Sequence, residues 1–177
     1  MVLAATTQAR NVESGGIEAD ARNERNSMSS EYQRLFVSDM PVIKTGEMSN
    51  EGEAAGLVQP ENLGEGFWLM HPDVVPESQV NMSHIWVHET TEPVHWVNPH
   101  VHDYDEILIW TGSNPEDPRD LGAEIYMEID GERHIITTSG SVYIPAGTVH
   151  CPLGFNRVDR PFRFSALSLS QSYKSRN

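Results

Sequence analysis

From Phe67 onward the chain runs in short apolar segments, each closed by Gly, Pro, Asn or Asp, which is the pattern of consecutive β-strands. The segments predict strands over 67–71, 80–89, 95–102, 105–111, 123–129, 132–138, 141–144, 149–155 and 161–169. Asp130-Gly131, between AEIYMEI and ERHIITT, is the strongest hairpin signal, because both central residues of a type I′ turn need positive φ. Pro145-Ala146-Gly147-Thr148 marks a second tight turn. The stretch from Gly112 to Gly122, rich in Pro and Asp, reads as a surface loop joining two halves of a barrel. No internal repeat is visible.

Ahead of these strands the pattern is different. Residues 1–30 are polar and poor in aromatics, too little apolar surface to fold alone, and read as a tail or arm. Residues 31–66 read as an extended lead-in, in which Tyr32, Leu35, Phe36 and Val37 either pack on the barrel or cross to a second subunit. A short helix over 28–36, capped by Ser29 or Ser30, fits the start of this segment. Gly46, Gly52, Gly56, Pro60 and Gly64 make 45–65 a loop. The barrel itself is expected over 67–172, one domain in a chain of 177 residues.

Composition narrows the class. With 38% hydrophobic residues, 13 glycines and 11 prolines, short strands are favoured over long helices, so the chain is expected to be all-β. A net charge of -14 disfavours nucleic acid and anionic membranes, because neutralising phosphates needs clustered Lys and Arg. No Lys or Arg stands between Lys44 and Arg119, and after Arg119 and Arg133 basic residues cluster late, at Arg157, Arg160 and Arg163. The single cysteine, Cys151, excludes an intramolecular disulfide framework and a multi-thiolate zinc site. With neither a signal-type apolar region nor a membrane-length run, the expected setting is the cytoplasm.

Any metal must therefore be held by His and carboxylates. In VNPHVHDYDEILIWTG, His100 and His102 are two apart, so on a strand both imidazoles project to one face. Glu106 follows after Asp-Tyr-Asp, which can bend and bring its carboxylate back towards them. YIPAGTVH supplies His150 directly after the Pro145 turn.

The first of these segments resembles the first motif of the cupins, HxHxxxE followed by Gly. GSVYIPAGTVH resembles the second, PxGxxH preceded by Gly. The resemblance spans roughly 80–170 and implies a double-stranded β-helix, the jelly-roll cupin barrel, with a metal held inside by His100, His102, Glu106 and His150. Gly112 and Gly140 each stand one residue nearer their motif than is usual in the family, and Gly154 occupies a position often filled by Asn. Small cupins are often dimeric, so a homodimer is expected from the resemblance. Three imidazoles and a carboxylate suit one divalent transition metal, Fe, Mn, Zn, Ni or Cu, rather than Ca or Mg.

Around this set, Tyr126 and Arg163 are the candidate catalytic residues. Tyr126 is read as a general acid or a pocket wall, and Arg163 as a guanidinium able to grip a carboxylate or enolate. Arg157 and Arg160 read as part of an ion-pair cluster at the VDRP turn, with Arg160 paired to Asp159 or Asp117. Asp103 or Asp105 could orient a liganding imidazole. His84, Trp86 and His88 alternate on one face, either lining the barrel mouth or forming a solvated face, the second being preferred. His95, before the motif, is read as a surface residue or a support for a liganding side chain rather than a fifth ligand. Cys151, next to His150, should point away from the metal by alternation. The resemblance implies a metal-dependent enzyme acting on a small molecule, a dioxygenase first. An isomerase, cyclase or lyase and a non-catalytic binder remain the alternatives.

Overall fold

A computed structural model of the chain describes residues 32–44 and 59–173. Nine strands form: β1 (Phe67–Met70), β2 (Asn81–Val87), β3 (Val94–Val97), β4 (Glu106–Gly112), β5 (Asp120–Ile129), β6 (Glu132–Thr138), β7 (Gly140–Ile144), β8 (His150–Val158) and β9 (Phe162–Ser168). Each coincides with one of the apolar segments. They make two antiparallel sheets, β1-β2-β9-β4-β7 and β3-β8-β5-β6. The pairs β2 with β9, β3 with β8, β4 with β7 and β5 with β6 are nested, so the chain from β2 to β9 behaves as one long hairpin rolled on itself. That is the double-sheet jelly roll implied by the two motifs.

The sheets hold together through their inner faces. Val87, Leu121, Ile125, Phe155 and Phe162 are fully buried. Trp96 of β3 bridges the two layers, its ring centroid 5.7 Å from Phe155 in its own sheet and 5.0 Å from Phe164 in the other. The hairpin at Asp130-Gly131 has φ of 48° and 81°, the two positive values its sequence requires.

Three strands differ from the pattern reading by three residues or more; one is β8, which runs on to Val158 where 155 was expected. β3 stops at Val97 rather than at 102, because Pro99 has no N–H for the ladder. β5 starts at Asp120, inside the stretch read as loop. Gly122 at φ 69° and a register shift between Asp120 and Ile125 let the chain enter the sheet early.

The lead-in extends the first sheet. Ile43 N donates to Gly66 O (2.9 Å), Trp68 N to Pro41 O (2.8 Å), Gly64 N to Trp86 O (2.9 Å) and His88 N to Asn62 O (2.7 Å). Residues 32–36 make one helical turn, with Leu35 N donating to Tyr32 O and Phe36 N to Gln33 O. The tail, the Ser29 or Ser30 cap and the loop over 45–58 lie outside the described residues. Among the described residues no helix is long and apolar enough to cross a membrane.

Gly154 of β8 pairs with Tyr126 of β5, and a Cβ there would collide with the Val94 carbonyl and the Tyr126 phenol. Gly154→Ala is expected to cost about 1–3 kcal/mol in urea denaturation through overpacking. Gly131→Ala, in open space at positive φ, should cost about 1–2 kcal/mol from backbone strain alone.

Asp120 accepts hydrogen bonds from Arg160 Nη2 and Gly122 N, and the guanidinium contact, then the backbone bond, lowers its pKa. A lowered folded pKa contributes stability that is present above the usual Asp range and is lost as pH falls through the folded value. Asp120→Asn should therefore be less stable than the parent at pH 7, with the gap in urea midpoint closing as the buffer is taken below about pH 3.9.

Candidate metal centre

The two motifs meet through their backbones. His100 N donates to His150 O (3.0 Å) and His150 N to His100 O (3.1 Å), a reciprocal antiparallel pair that sets the two side chains next to each other. Their ring centroids are 4.2 Å apart. His102, two residues on, lies on the same side, 4.8 Å from the His100 ring and 5.2 Å from that of His150. Beyond a bend at Asp103 and Tyr104 the chain enters β4 at Glu106. The second motif turns at Pro145 to Thr148, closed by Thr148 N to Pro145 O (3.1 Å) with Gly147 at φ 82°. Gly147 N also donates to His102 O (2.8 Å), tying the turn to the first motif.

Hydrogen bonds orient the imidazoles. His100 Nδ1 lies 2.9 Å from Asn98 O and His150 Nδ1 lies 3.1 Å from Thr148 O. A carbonyl can only accept, so Nδ1 carries a proton in both rings, and Nε2 is the atom each ring turns to the site. His150 Nε2 is 3.3 Å, and His102 Nε2 3.7 Å, from Glu106 Oε2. The other carboxylate oxygen accepts from Ser168 Oγ at 3.4 Å. All four residues are 4% exposed or less, and the buried His150 Nε2 has no hydrogen-bond partner.

A buried imidazole nitrogen with no hydrogen-bond partner, beside a buried carboxylate, suits an ion set between them. The four donor atoms lie within 4.8 Å of one another. Ligands about 2.1 Å from an ion stand about 4.2 Å apart across it, so only a small contraction is needed. The group fits one divalent transition ion, which would keep a single net positive charge after pairing with Glu106.

Glu106, His100 and His150 face a cavity of about 450 Å³. Its walls include Ile85, Val97, Leu108, Leu153, Phe164 and Ala166, from both sheets, and the lead-in contributes Lys44, Glu65 and their neighbours. Lys44 is the one Lys or Arg among the described lining residues.

The structure brings the four expected ligands together and leaves the two expected catalytic residues elsewhere. Tyr126 follows Ile125 and precedes Met127, both buried in the core, so alternation turns it to the outer face of β5. There its ring covers Gly154, Arg133 lies 4.8 Å above it, and its OH reaches Val94 O at 3.5 Å. Burial pushes its pKa up. Arg163 lies between the buried Phe162 and Phe164 and points outward, 5.6 Å over the Trp86 ring. Arg157 pairs with Asp159 and Arg160 with Asp120, so the late arginines serve ion pairs.

Cys151 departs from the alternation expected of it. A register shift between Met127 and Ile129 and a φ of 67° at Cys151 place it in the same cavity lining as His150. Asp105 bonds Tyr143 OH and Ala146 N (2.8 Å), bracing the second motif's turn, while backbone carbonyls orient His100 and His150. Trp86 and His88 are exposed, whereas His84 is half-buried, lines the cavity and contacts Ser165 Oγ at 3.2 Å. His95 is exposed. Sequence reasoning missed Ser168, Lys44 and Tyr173, all set in polar or loop-like surroundings. Only the register of β4 against β9, which pairs Glu106 with Ser168, reveals the first.

No model of a known protein family matches the chain, and no curated protein does. Among solved structures it is similar to a cupin superfamily protein from Desulfitobacterium hafniense DCB-2, with a TM-score of 0.42 and 11% identity over 64% of this chain and 82% of that one. It is also similar to the polyketide cyclase RemF from Streptomyces resistomycificus, with a TM-score of 0.46 and 12% identity over 68% and 75%. A third is a recombinant oxalate oxidase in complex with glycolate, with a TM-score of 0.49 and 15% identity over 81% and 63%. These likenesses concern the fold.

If the four residues are the ligands, the purified protein carries about one equivalent of a divalent transition ion. His100→Ala and His150→Ala should carry almost none by elemental analysis. A full complement in either variant would remove that residue from the ligand set.

Proposed function

We propose that this cupin-fold protein is a metal-dependent enzyme acting on a small organic substrate, and that its reaction is dioxygenation of an enolate or phenolate. The observation that carries the reading is the four-donor cluster opening on an apolar-walled cavity of about 450 Å³. That size accommodates a small molecule rather than a polymer. The bound ion would supply Lewis acidity and, if redox-active, electron exchange with dioxygen, with two of six coordination positions left by the protein.

The chain's own residues have separable tasks in this reading. Ile85, Leu108, Leu153 and Phe164 pack against the apolar body of the substrate and exclude water. Lys44 supplies positive charge to an anionic group, in a protein otherwise poor in it. Ser168, through its bond to Glu106 Oε1, holds the carboxylate with Oε2 towards His102 and His150.

A second reading, redox-neutral isomerisation, cyclisation or lysis, is favoured by the presence of His84 and Tyr173 in the lining. Burial first, and the nearby Arg163 second, lower the His84 pKa, so the ring is neutral at pH 7 and able to take a proton.

The two readings part in one experiment. Protein loaded with Fe(II) or Mn(II) is supplied with phenols, catechols and β-dicarbonyls while dioxygen is monitored. Uptake coupled to loss of one of these classes, abolished in His100→Ala, is the expected result. Turnover that survives under anaerobic conditions without uptake would transfer the site to redox-neutral chemistry, and His84→Gln should then slow it.

A further inference from the structure

The segment after β9 is tied down at both its sides. Leu169 N donates to Asp105 O (2.9 Å), next to the ligand Glu106. Asn81 Nδ2, on a residue 1% exposed, donates to Ser170 O at 2.7 Å, and Gln171 Nε2 donates to Ser78 O at 3.3 Å. Ser172 N closes a turn on Ser170 Oγ (3.2 Å). These bonds make 169–172 a strap running from the ligand-bearing loop to the segment before β2, and the strap delivers Tyr173.

The Tyr173 ring meets the His102 imidazole edge to face, with centroids 5.4 Å apart and planes at 64°. Tyr104 stacks on the same imidazole at 4.7 Å and 16°. The two phenol rings are themselves 6.5 Å apart, so they approach the imidazole from different directions. A ring gripped from two directions cannot swing about its Cβ–Cγ bond without displacing one of them, and such freedom would carry Nε2 away from Glu106. Tyr173 also lines the cavity.

We propose that Tyr173 is a positioning residue for His102: the C-terminal strap presses its ring against the imidazole and so sets both the retention and the geometry of the metal. The inference rests on reading His100, His102, Glu106 and His150 as a metal site. It adds a control element that contributes no donor atom and lies more than 60 residues from the ligand it positions.

Co(II), whose visible absorption reports its coordination, is the probe, loaded into the parent protein, Tyr173→Ala and Tyr173→Phe. Release to excess chelator should be about 10-fold faster or more in Tyr173→Ala, the scale on which groups supporting a ligand act. Its absorption band should also shift, while Tyr173→Phe, which keeps the ring, matches the parent in both. Thermal melting of the metal-free proteins should coincide.

A parent-like release rate and band in Tyr173→Ala would overturn the proposal. So would faster release with an unshifted band, which marks general loosening, or a Tyr173→Phe variant as defective as Tyr173→Ala. Failure of the parent itself to take up Co(II) would be a different result, striking the metal reading first and this inference with it.

Discussion

A carboxylate 2% exposed inside an apolar barrel is the constraint on which the site is organised. A carboxylate buried this deeply needs polar partners, and the fold brings them from three directions. His150 comes from the second motif, His102 from the first, and Ser168 from β9, each positioned by a different backbone pairing. The four donor atoms these pairings bring together lie within 4.8 Å of one another, close enough to share one ion.

The same pairings explain why the cavity has the walls it has. Strand alternation sends one residue in two to the core, so the charged residues interspersed in β5, β8 and β9 are carried to the outside, where Arg157, Arg160 and Arg163 find partners. What remains facing the donors is apolar from both sheets. Besides the donors, polar groups reach the cavity from the segments flanking the jelly roll, Lys44 and Glu65 from the lead-in and Tyr173 from the strap, and from β2, which carries His84. The barrel thus positions the four donors, while its flanking segments add charged and polar groups to the cavity wall.

Rigidity around the ligands comes from contacts that are themselves outside the ligand set. Asp105 ties the turn at Ala146 to the first motif, Gly147 N bonds His102 O, and the phenols of Tyr104 and Tyr173 hold the His102 ring. The two motifs are consequently one mechanical unit, although more than 40 residues separate His102 from Pro145.

By itself the sequence determined the strands, the Asp130-Gly131 hairpin and the all-β class, because each depends on periodicity or turn chemistry within a short segment. It also carried the placement of His150 beside His100, though only through the resemblance of two motifs; nothing local to either says they meet. The tertiary structure decided the rest. Tyr126 and Arg163 read as site residues by chemical type, but the register of β5 and β9 turned both outward. Cys151 was expected to point away, and a bulge that no local pattern announces turned it in. Ser168, Lys44 and Tyr173 carry no motif, and they matter only because cross-strand pairing and two flanking segments bring them to the donors. Which face a residue presents, and which distant segment it meets, depends on register, and register is settled by the packing of the whole barrel.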